Sequence, residues 1–171
     1  ELLFSEEDIS RRIAAMARDV ARNMPQDITV VALLKGGFVF TADLIRALHH
    51  SGMQPQVDFV TLSSYGDATQ SSGEVALKQE LQDNLQGRHV LLVDDILESG
   101  RTLSLAKKLL GEQGAEEVKI AVLLEKPGKR VVDVEADFTG FVVPDRFVVG
   151  YGLDCANYYR ELPFIGWIEA D

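Results

Sequence analysis

The fold is decided by the stretch Val90-Leu-Leu-Val-Asp-Asp-Ile-Leu-Glu-Ser-Gly-Arg-Thr102. An apolar run typical of a buried strand leads into the adjacent acids Asp94 and Asp95, and a turn of small residues then precedes a helical pattern. The turn from Glu98 to Thr102 can present backbone N–H groups, hydroxyls and a helix N-terminus to a phosphate. The two carboxylates can accept hydrogen bonds from neighbouring sugar hydroxyls, although a purely structural interpretation, in which they cap the strand end and the following serine caps the helix, is also open. The stretch therefore predicts a strand–loop–helix unit suited to a phosphorylated sugar.

Strands and helices alternate in the rest of the pattern. Strands are predicted at 28–34, 57–62, 89–93 and 118–124, and helices at 38–50 and 102–113. A first helix opens at Ser5, whose spacing to Asp8 is that of a capping box, and Gly114 is expected to end the third helix. This alternation predicts a Rossmann-like, mainly parallel sheet flanked by helices. Short apolar runs at 138–143 and 147–149 are expected to extend the sheet, and 151–171 to fold back with the first helix as a small hood.

Length and composition predict one α/β domain. A chain of 171 residues with 46% hydrophobic and 26% charged residues can bury a core without help from disulfides or structural metals. We expect a core at about 25–150 and a hood formed by about 1–24 and 151–171. The one cysteine, Cys155, permits neither an internal disulfide nor a cysteine-rich zinc site, so any metal is expected to be held by oxygen ligands.

Charge and hydropathy limit the partners. The net charge of −10 opposes general binding to nucleic acid or to anionic membranes. No apolar run is long enough to cross a bilayer, and the acidic beginning of the sequence is unlike a signal peptide. We therefore expect a cytoplasmic protein whose ligands are small molecules.

The stretch 90–102 resembles the phosphoribosyl pyrophosphate signature of the type I phosphoribosyltransferases. Residues similar to those of the hypoxanthine-guanine phosphoribosyltransferases follow in the same order from about Leu3 to Trp167. The resemblance implies the type I phosphoribosyltransferase fold, a Mg²⁺ cofactor, and a homodimer or homotetramer. It implies a purine salvage reaction that converts hypoxanthine, and guanine, with 5-phosphoribosyl 1-pyrophosphate to IMP, or GMP, and pyrophosphate. The ribose would be bound by Asp94 and Asp95, and its 5′-phosphate by Glu98, Ser99, Gly100, Arg101 and Thr102.

Two further loops resemble parts of the same family. Leu34-Lys-Gly-Gly37 resembles its pyrophosphate loop, in which the peptide bond before the lysine is commonly cis, so Lys35 and Gly36 would contact pyrophosphate together with Arg160. Without the resemblance, a plain strand-to-helix turn explains the glycines equally well. The polar segment 63–80 suggests either a lid or disorder, and its Ser64-Tyr65 pair resembles the start of the flexible loop that closes over the reacting centre.

Residues for the purine come from the second half of the chain. Lys126, Phe147 and Val148 resemble the family residues that contact the 6-oxo group, stack on the ring and bind it through the backbone. Because lysine carries only donors, it suits the O6 acceptor of hypoxanthine or guanine and not the amine of adenine. Taken alone, a lysine in such a place is more often a solvated strand-end residue, and such a phenylalanine is more often a core aromatic.

The resemblance also assigns acids to catalysis and metal binding. Glu98 is expected to be the general base that takes the purine N7 proton, although many family members have Asp there, one methylene shorter. Asp154 resembles an acid at the magnesium site beside the purine, and Asp94 and Asp95 are the other expected metal contacts. Asp94 is itself often Glu in the family, a change that preserves an acceptor.

Two other functions remain open from the sequence. One is a non-catalytic phosphoribosyltransferase-fold regulator that binds nucleotide, which a basic face or an added reading domain would favour. The other is an aspartyl phosphoacceptor domain, since paired acids at a strand end also suit magnesium and phosphate chemistry. That second alternative leaves Lys35, Phe147 and Asp154 unexplained.

Overall fold

The structure, a computed structural model, describes residues 1–64, 75–77 and 84–169. The helices in these ranges are α1 (Glu6–Asn23), α2 (Phe38–His50) and α3 (Arg101–Glu112). The strands are β1 (Leu2–Phe4), β2 (Thr29–Leu33), β3 (Gln56–Val60), β4 (Leu62–Ser64), β5 (Val75–Leu77), β6 (His89–Leu97), β7 (Glu117–Glu125), β8 (Phe138–Val142), β9 (Phe147–Val149) and β10 (Ile165–Ile168). Among the helices so described, none is long and apolar enough to cross a membrane.

The central sheet is parallel, as predicted. Its strand order is β3-β2-β6-β7-β8, and every neighbouring pair runs in the same direction. The chain moves from β2 outward to β3 and then returns on the other side of β2 as β6. The order therefore reverses between β2 and β6, and the crevice at their carboxyl ends is where open α/β sheets bind ligands.

Alternate residues of the sheet pack into separate cores on its two faces. Val30 and Ala32 of β2 belong to the core shared with α1 and α2, whereas Val31 and Leu33 belong to the core beneath α3. This division follows from the two-residue period of a strand. Because both faces are covered, β2 is apolar throughout, which explains why its sequence shows no alternation.

The first helix begins as the sequence predicts. The Ser5 hydroxyl accepts from Asp8 N at 3.1 Å, and Ser5 N donates to the Asp8 carboxylate at 3.0 Å, which completes the capping box. Arg12 fixes the helix to β8 by donating to the carbonyls of Gly140 and Thr139, each at 2.7 Å. Helix α1 consequently packs against α2 and against β8, the edge strand of the main sheet.

A three-stranded antiparallel sheet joins the two ends of the chain. Its order is β1-β10-β9, with Trp167 opposite Val148. The expectation that 147–149 extends the main sheet is therefore wrong, although β8 does extend it beside β7. A three-residue apolar run does not specify its partner, and here β10 supplies the antiparallel edge. The division into a core of about 25–150 and a hood of about 1–24 and 151–171 stays a prediction.

The segment that follows β3 begins and ends in a strand pair. Residues of β4 and β5 are antiparallel partners, with Leu62 opposite Leu77. The predicted strand at 57–62 is thus divided, since β3 ends at Val60 and β4 starts at Leu62. Ser64 ends β4, and Tyr65 lies outside the described residues.

Candidate active site

The pyrophosphate-loop candidate leaves β2 at the switch point. Its Leu34–Lys35 peptide bond is cis, as the sequence resemblance implied. Gly36 lies directly against the second acid of β6: a Cβ added there would fall 2.0 Å from the carboxylate Oδ2 of Asp95. A side chain at position 36 would therefore displace Asp95, so glycine is required for the two loops to meet. The Lys35 side chain is exposed beside this contact.

The paired acids lie within β6 rather than after it. The sequence pattern predicts that this strand ends at residue 93, but β6 continues to Leu97 because β7 pairs along its whole length, with Asp94 opposite Val122. Asp94 accepts from Asp95 N at 2.8 Å, and Asp95 accepts from Ile96 N at 2.8 Å. The extended strand thus holds both carboxylates at its carboxyl end by their own backbone.

The environment of these acids disfavours two negative charges. Burial raises the pKa of Asp94 well above its ordinary value, and the neighbouring charge of Asp95 raises it further. Burial also raises the pKa of Asp95, whereas the positive charge of the Arg160 guanidinium lowers it. Two carboxylates in such a place are suited to a cation or to donor hydroxyl groups.

The phosphate-loop candidate, residues 98–102, contains a left-handed glycine. Gly100 has φ of 84°, and a Cβ there would lie 2.3 Å from Val134 Cγ1. Position 100 therefore excludes other residues on both backbone and steric grounds. The following residues, Arg101 and Thr102, are exposed at the N-terminus of α3, where the helix dipole favours an anion, and Arg101 N donates to the Ser99 hydroxyl at 3.3 Å.

A side chain that the sequence interpretation did not identify braces this loop. Arg130 donates to the Glu98 carbonyl at 2.6 Å and to the Glu125 carboxylate at 2.6 Å. Glu125 also accepts from the Thr139 hydroxyl at 3.1 Å, and Val131 N donates to Ser99 O at 3.0 Å. The turn after β7 therefore supports the backbone of the phosphate-loop candidate. Its basic residues are visible in the sequence, but a pairing across about 30 residues has no local signal.

The purine-site candidates meet at the same end of the sheet. Lys126 follows β7, and its Nζ lies 3.1 Å from Glu98 Oε1; the lysine side chain is 9% exposed and the glutamate 45%. Lys129 pairs with Asp145 at 2.8 Å, which links this turn to the one before β9. The Lys129 ion pair first, and the Lys126 charge in addition, lower the pKa of Asp145. Phe147 begins β9 next to Asp145 and is 41% exposed, whereas Val148 is buried.

The last candidate loop lies against the pyrophosphate-loop candidate. A Cβ at Gly152 would be 2.7 Å from Gly36 O. Arg160 Nη1 donates to Gly152 O at 2.6 Å, and Arg160 Nη2 lies 3.3 Å from the Asp154 carboxylate, which also accepts from Asn157 N at 2.7 Å. Asp154 and Arg160 are thus brought together, and Arg160 is close enough to influence Asp95.

No group of three or more His, Cys, Asp or Glu side chains gathers into a metal-binding cluster in the part of the chain that the structure describes. The acids expected at the metal, Asp94, Asp95 and Asp154, therefore do not form a protein-only cage. Such a divided set fits Mg²⁺, which is usually bound by one or two carboxylates together with waters and substrate phosphates.

Known proteins are similar to this chain over nearly its whole length. Residues 3–156 match the phosphoribosyl transferase domain family. The chain is 42% identical over 170 residues to the hypoxanthine-guanine phosphoribosyltransferase of Bacillus subtilis (strain 168), covering 99% of this chain and 93% of that protein. It is 40% identical over 169 residues to the hypoxanthine phosphoribosyltransferase of Salmonella typhimurium, covering 97% of this chain and 93% of that protein. A hypoxanthine-guanine phosphoribosyltransferase crystal structure from Bacillus anthracis aligns with a TM-score of 0.90 and 40% identity, covering 99% of this chain and 98% of that chain.

The parallel sheet, its switch-point crevice and the matched domain define a phosphoribosyltransferase. The identity of about two fifths over nearly the whole chain makes the assignment finer. The chain belongs to the hypoxanthine-guanine phosphoribosyltransferase family, enzymes of purine salvage. Family membership disfavours both other functions considered from the sequence, the non-catalytic regulator and the aspartyl phosphoacceptor.

Proposed function

We propose that this chain transfers the ribosyl phosphate of 5-phosphoribosyl 1-pyrophosphate to N9 of hypoxanthine, and of guanine, giving IMP, or GMP, and pyrophosphate. The observation that carries the proposal is the 3.1 Å pairing of Lys126 Nζ with Glu98 Oε1. The pair sets a donor beside an acceptor at the start of the phosphate-loop candidate. A 6-oxopurine protonated at N7 offers the complementary pair, an O6 acceptor next to an N7–H donor.

The same pair argues against adenine as a substrate. Its exocyclic amine is a donor where hypoxanthine has O6, so it would face the donor Lys126. A site whose buried polar group is left unpaired rejects the wrong ligand strongly. Lys126 is nearly buried, which makes this mismatch costly. Phe147, exposed at the start of β9, would stack on the purine ring, and the backbone of Val148 would meet its edge.

The sugar phosphate is assigned to the adjoining loop. Residues Ser99 to Thr102 would hold the 5′-phosphate through backbone N–H groups at the start of α3, and Asp94 and Asp95 would accept from the two ribose hydroxyls. Both acids resist ionisation because of burial, so hydroxyl donors would replace the hydrogen bonds from water that burial removes. Pyrophosphate would lie toward Lys35, Gly36 and Arg160.

The reaction follows from these positions. The C1′–N9 bond forms as the bond from C1′ to the pyrophosphate oxygen breaks, and positive charge develops on the ribose. Glu98 takes the proton from N7, while Lys126 donates to O6. Lys35 and Arg160 supply cationic donors to the departing pyrophosphate.

The donor set fits Mg²⁺, since its three acids are hard oxygen ligands and the substrate would add phosphate and hydroxyl oxygens. Asp94, Asp95 and Asp154 would hold it, where it would neutralise part of the pyrophosphate charge. A homodimer or homotetramer and a cytoplasmic location stay predictions, as does a lid that includes Ser64 and Tyr65.

The test is a transfer assay with purified protein, Mg²⁺ and 5-phosphoribosyl 1-pyrophosphate. Hypoxanthine, guanine, xanthine and adenine are offered separately, and nucleotide and pyrophosphate are both measured. We expect rapid product from the first two bases and little from adenine, with loss of transfer in Glu98→Gln. Equal use of adenine would contradict the assigned role of Lys126, and tight nucleotide binding without transfer to any base would favour a regulator.

A further inference from the structure

The loop between β9 and Asp154 has an unusual backbone. Three consecutive residues, Gly150, Tyr151 and Gly152, have φ values of 97°, 53° and 96°. Glycine adopts this region readily, but a tyrosine there is uncommon and indicates that its surroundings favour that conformation. The conformation directs the Tyr151 side chain into the protein, where the residue is 5% exposed.

The Tyr151 hydroxyl reaches across to α2. It donates a hydrogen bond to the carboxylate of Asp43, which also forms an ion pair with Arg46 one helical turn away. Tyr151 and Asp43 line a cavity of about 1260 Å³ between α1, α2 and the C-terminal segment. The hydrogen bond therefore ties the loop to α2 beside an open space rather than across a fully packed interface.

The residues beside Tyr151 in the loop contact the pyrophosphate site. Gly152 lies against Gly36 O, and its N–H donates to Arg160 O at 2.9 Å. Arg160 returns a hydrogen bond to Gly152 O at 2.6 Å. Helix α2 itself starts directly after the Lys35-Gly36-Gly37 turn. One hydroxyl thus connects α2, the helix that directly follows the Lys35 turn, with the loop that carries Asp154 and Arg160.

The donor persists over the working pH range. Burial raises the pKa of the Tyr151 hydroxyl, and its hydrogen bond to Asp43 raises it further. The groups that face this pair from packed elements include Arg46 of α2, which lowers the pKa, and Glu6 of α1, which raises it. The phenol therefore remains protonated, so its hydrogen bond to Asp43 persists over this pH range and does not act as a pH switch.

We propose that Tyr151 and Asp43 are positioning residues that hold the Gly152–Arg160 loop in register with the Lys35–Gly36 turn and so set the affinity for the pyrophosphate group. This inference rests on the proposed function and extends it to two residues that touch no substrate. It predicts a selective effect, because the purine residues Lys126 and Phe147 belong to other elements of the structure.

The test is steady-state kinetics of Tyr151→Phe, which removes the hydroxyl and keeps the ring. We expect KM for 5-phosphoribosyl 1-pyrophosphate, and for pyrophosphate in the reverse reaction, to rise by about tenfold, the loss expected for one hydrogen bond to a charged group. KM for hypoxanthine should stay within about twofold, since a displaced loop affects only the ligand that it contacts. Asp43→Ala should reproduce this pattern, and the double variant should be no worse than either single variant.

Two matched variants separate positioning from stability. Asp43→Asn keeps an acceptor oxygen and should restore most of the affinity lost in Asp43→Ala. Arg46→Gln removes the ion pair and leaves the tyrosine–aspartate bond, so its kinetics should equal those of the unmodified chain. Equal losses for both substrates, additive effects in the double variant, or an Arg46→Gln that behaves like Asp43→Ala would overturn the inference. Absence of transfer by the unmodified chain would instead refute the proposed function, and the two failures are therefore distinct.

Discussion

The Lys126 ammonium lies 3.1 Å from the Glu98 carboxylate, so the residue proposed to bind O6 and the proposed base form one ion pair. A bound purine must insert its O6 and N7–H beside this pair without leaving either partner alone. The lysine is nearly enclosed, whereas almost half of the glutamate side chain is exposed. Within the proposed purine site, Lys126 is therefore the more constrained side chain, and Glu98 is the one with more room to move.

Replacement of Lys126 by Met tests whether this side chain binds O6 of the purine. The variant keeps an unbranched side chain of similar length but loses the donor to O6, and it leaves Glu98 without its cation. We expect kcat/KM for hypoxanthine to fall by about 10- to 100-fold, the range for a lost hydrogen bond to a charged group. Transfer to adenine should not fall in parallel, which can be measured with both bases in one competition assay. A parallel loss for the two bases would show that Lys126 acts on catalysis in general.

The length of the acid at position 98 can be tested directly. Glu98→Gln keeps the shape but cannot accept the N7 proton, and we expect kcat to fall by about 10²- to 10⁴-fold, the usual contribution of a general base. Glu98→Asp retains a carboxylate one methylene shorter and should lose less than tenfold, because the pair with Lys126 can reform at a slightly longer distance. Rapid-quench measurement of the chemical step distinguishes these effects from product release. Full activity of Glu98→Gln would exclude the residue as base.

The paired acids Asp94 and Asp95 should lower the free energy of unfolding at neutral pH. Burial, then repulsion by Asp95, raises the pKa of Asp94 from its ordinary value of 3.8. Below that value the acid is protonated in folded and unfolded chains alike; as the pH rises above it, the unfolded chain releases its proton first. The free energy of unfolding therefore falls as pH rises through this window.

Asp94→Asn removes this penalty while keeping an oxygen that can accept from Asp95 N. We expect a higher midpoint of thermal unfolding at pH 7, by about 2–4 °C for each kcal/mol recovered, together with a strong loss of transfer. The slope of stability against pH should become shallower, and part should remain because burial also raises the pKa of Asp95. A variant less stable than the parent at pH 7 would show that Asp94 is stabilised as a carboxylate in the folded protein.

The sequence predicts the layers of the fold because their signals are local. Continuous apolar runs at 28–34 and 118–124 correspond to buried parallel strands β2 and β7, and the Ser5–Asp8 spacing gives the observed cap. Its failures involve pairing between distant segments. The length of β6 depends on its pairing with β7, and the position of β9 depends on its pairing with β10. A short window of sequence encodes neither pairing.

The site divides in the same way. Each candidate residue belongs to a short motif, so resemblance could name it, but the contacts that position these motifs cross the whole chain. Gly36 against Asp95, Tyr151 with Asp43, and Arg130 with the Glu98 carbonyl all join residues far apart in sequence. Such contacts depend on the strand order that places β6 between β2 and β7, which propensity does not determine.

The last of these contacts gives a test of how the phosphate loop is held. Arg130→Met removes the donors to the Glu98 carbonyl and to the Glu125 carboxylate. The Glu125 side chain is 23% exposed and keeps its hydrogen bond from the Thr139 hydroxyl. We expect about 1–3 kcal/mol lower stability, the cost of leaving a charged acceptor without its partner. KM for 5-phosphoribosyl 1-pyrophosphate should rise by about tenfold or more because the loop backbone is released.

Lys129→Met is the matched control, since it removes a neighbouring cation whose ion pair with Asp145 is exposed on both sides. Exposed pairs contribute about 0–1 kcal/mol, so its unfolding midpoint should change little and its KM for the sugar phosphate should be retained. Arg130→Lys should recover charge but not both hydrogen bonds, because an ammonium lacks the planar fork that reaches a carbonyl and a carboxylate together. Thermal unfolding and initial-rate kinetics on the three variants decide the matter: if Arg130→Lys equals the parent in both, charge alone holds the loop and the two-point brace is wrong.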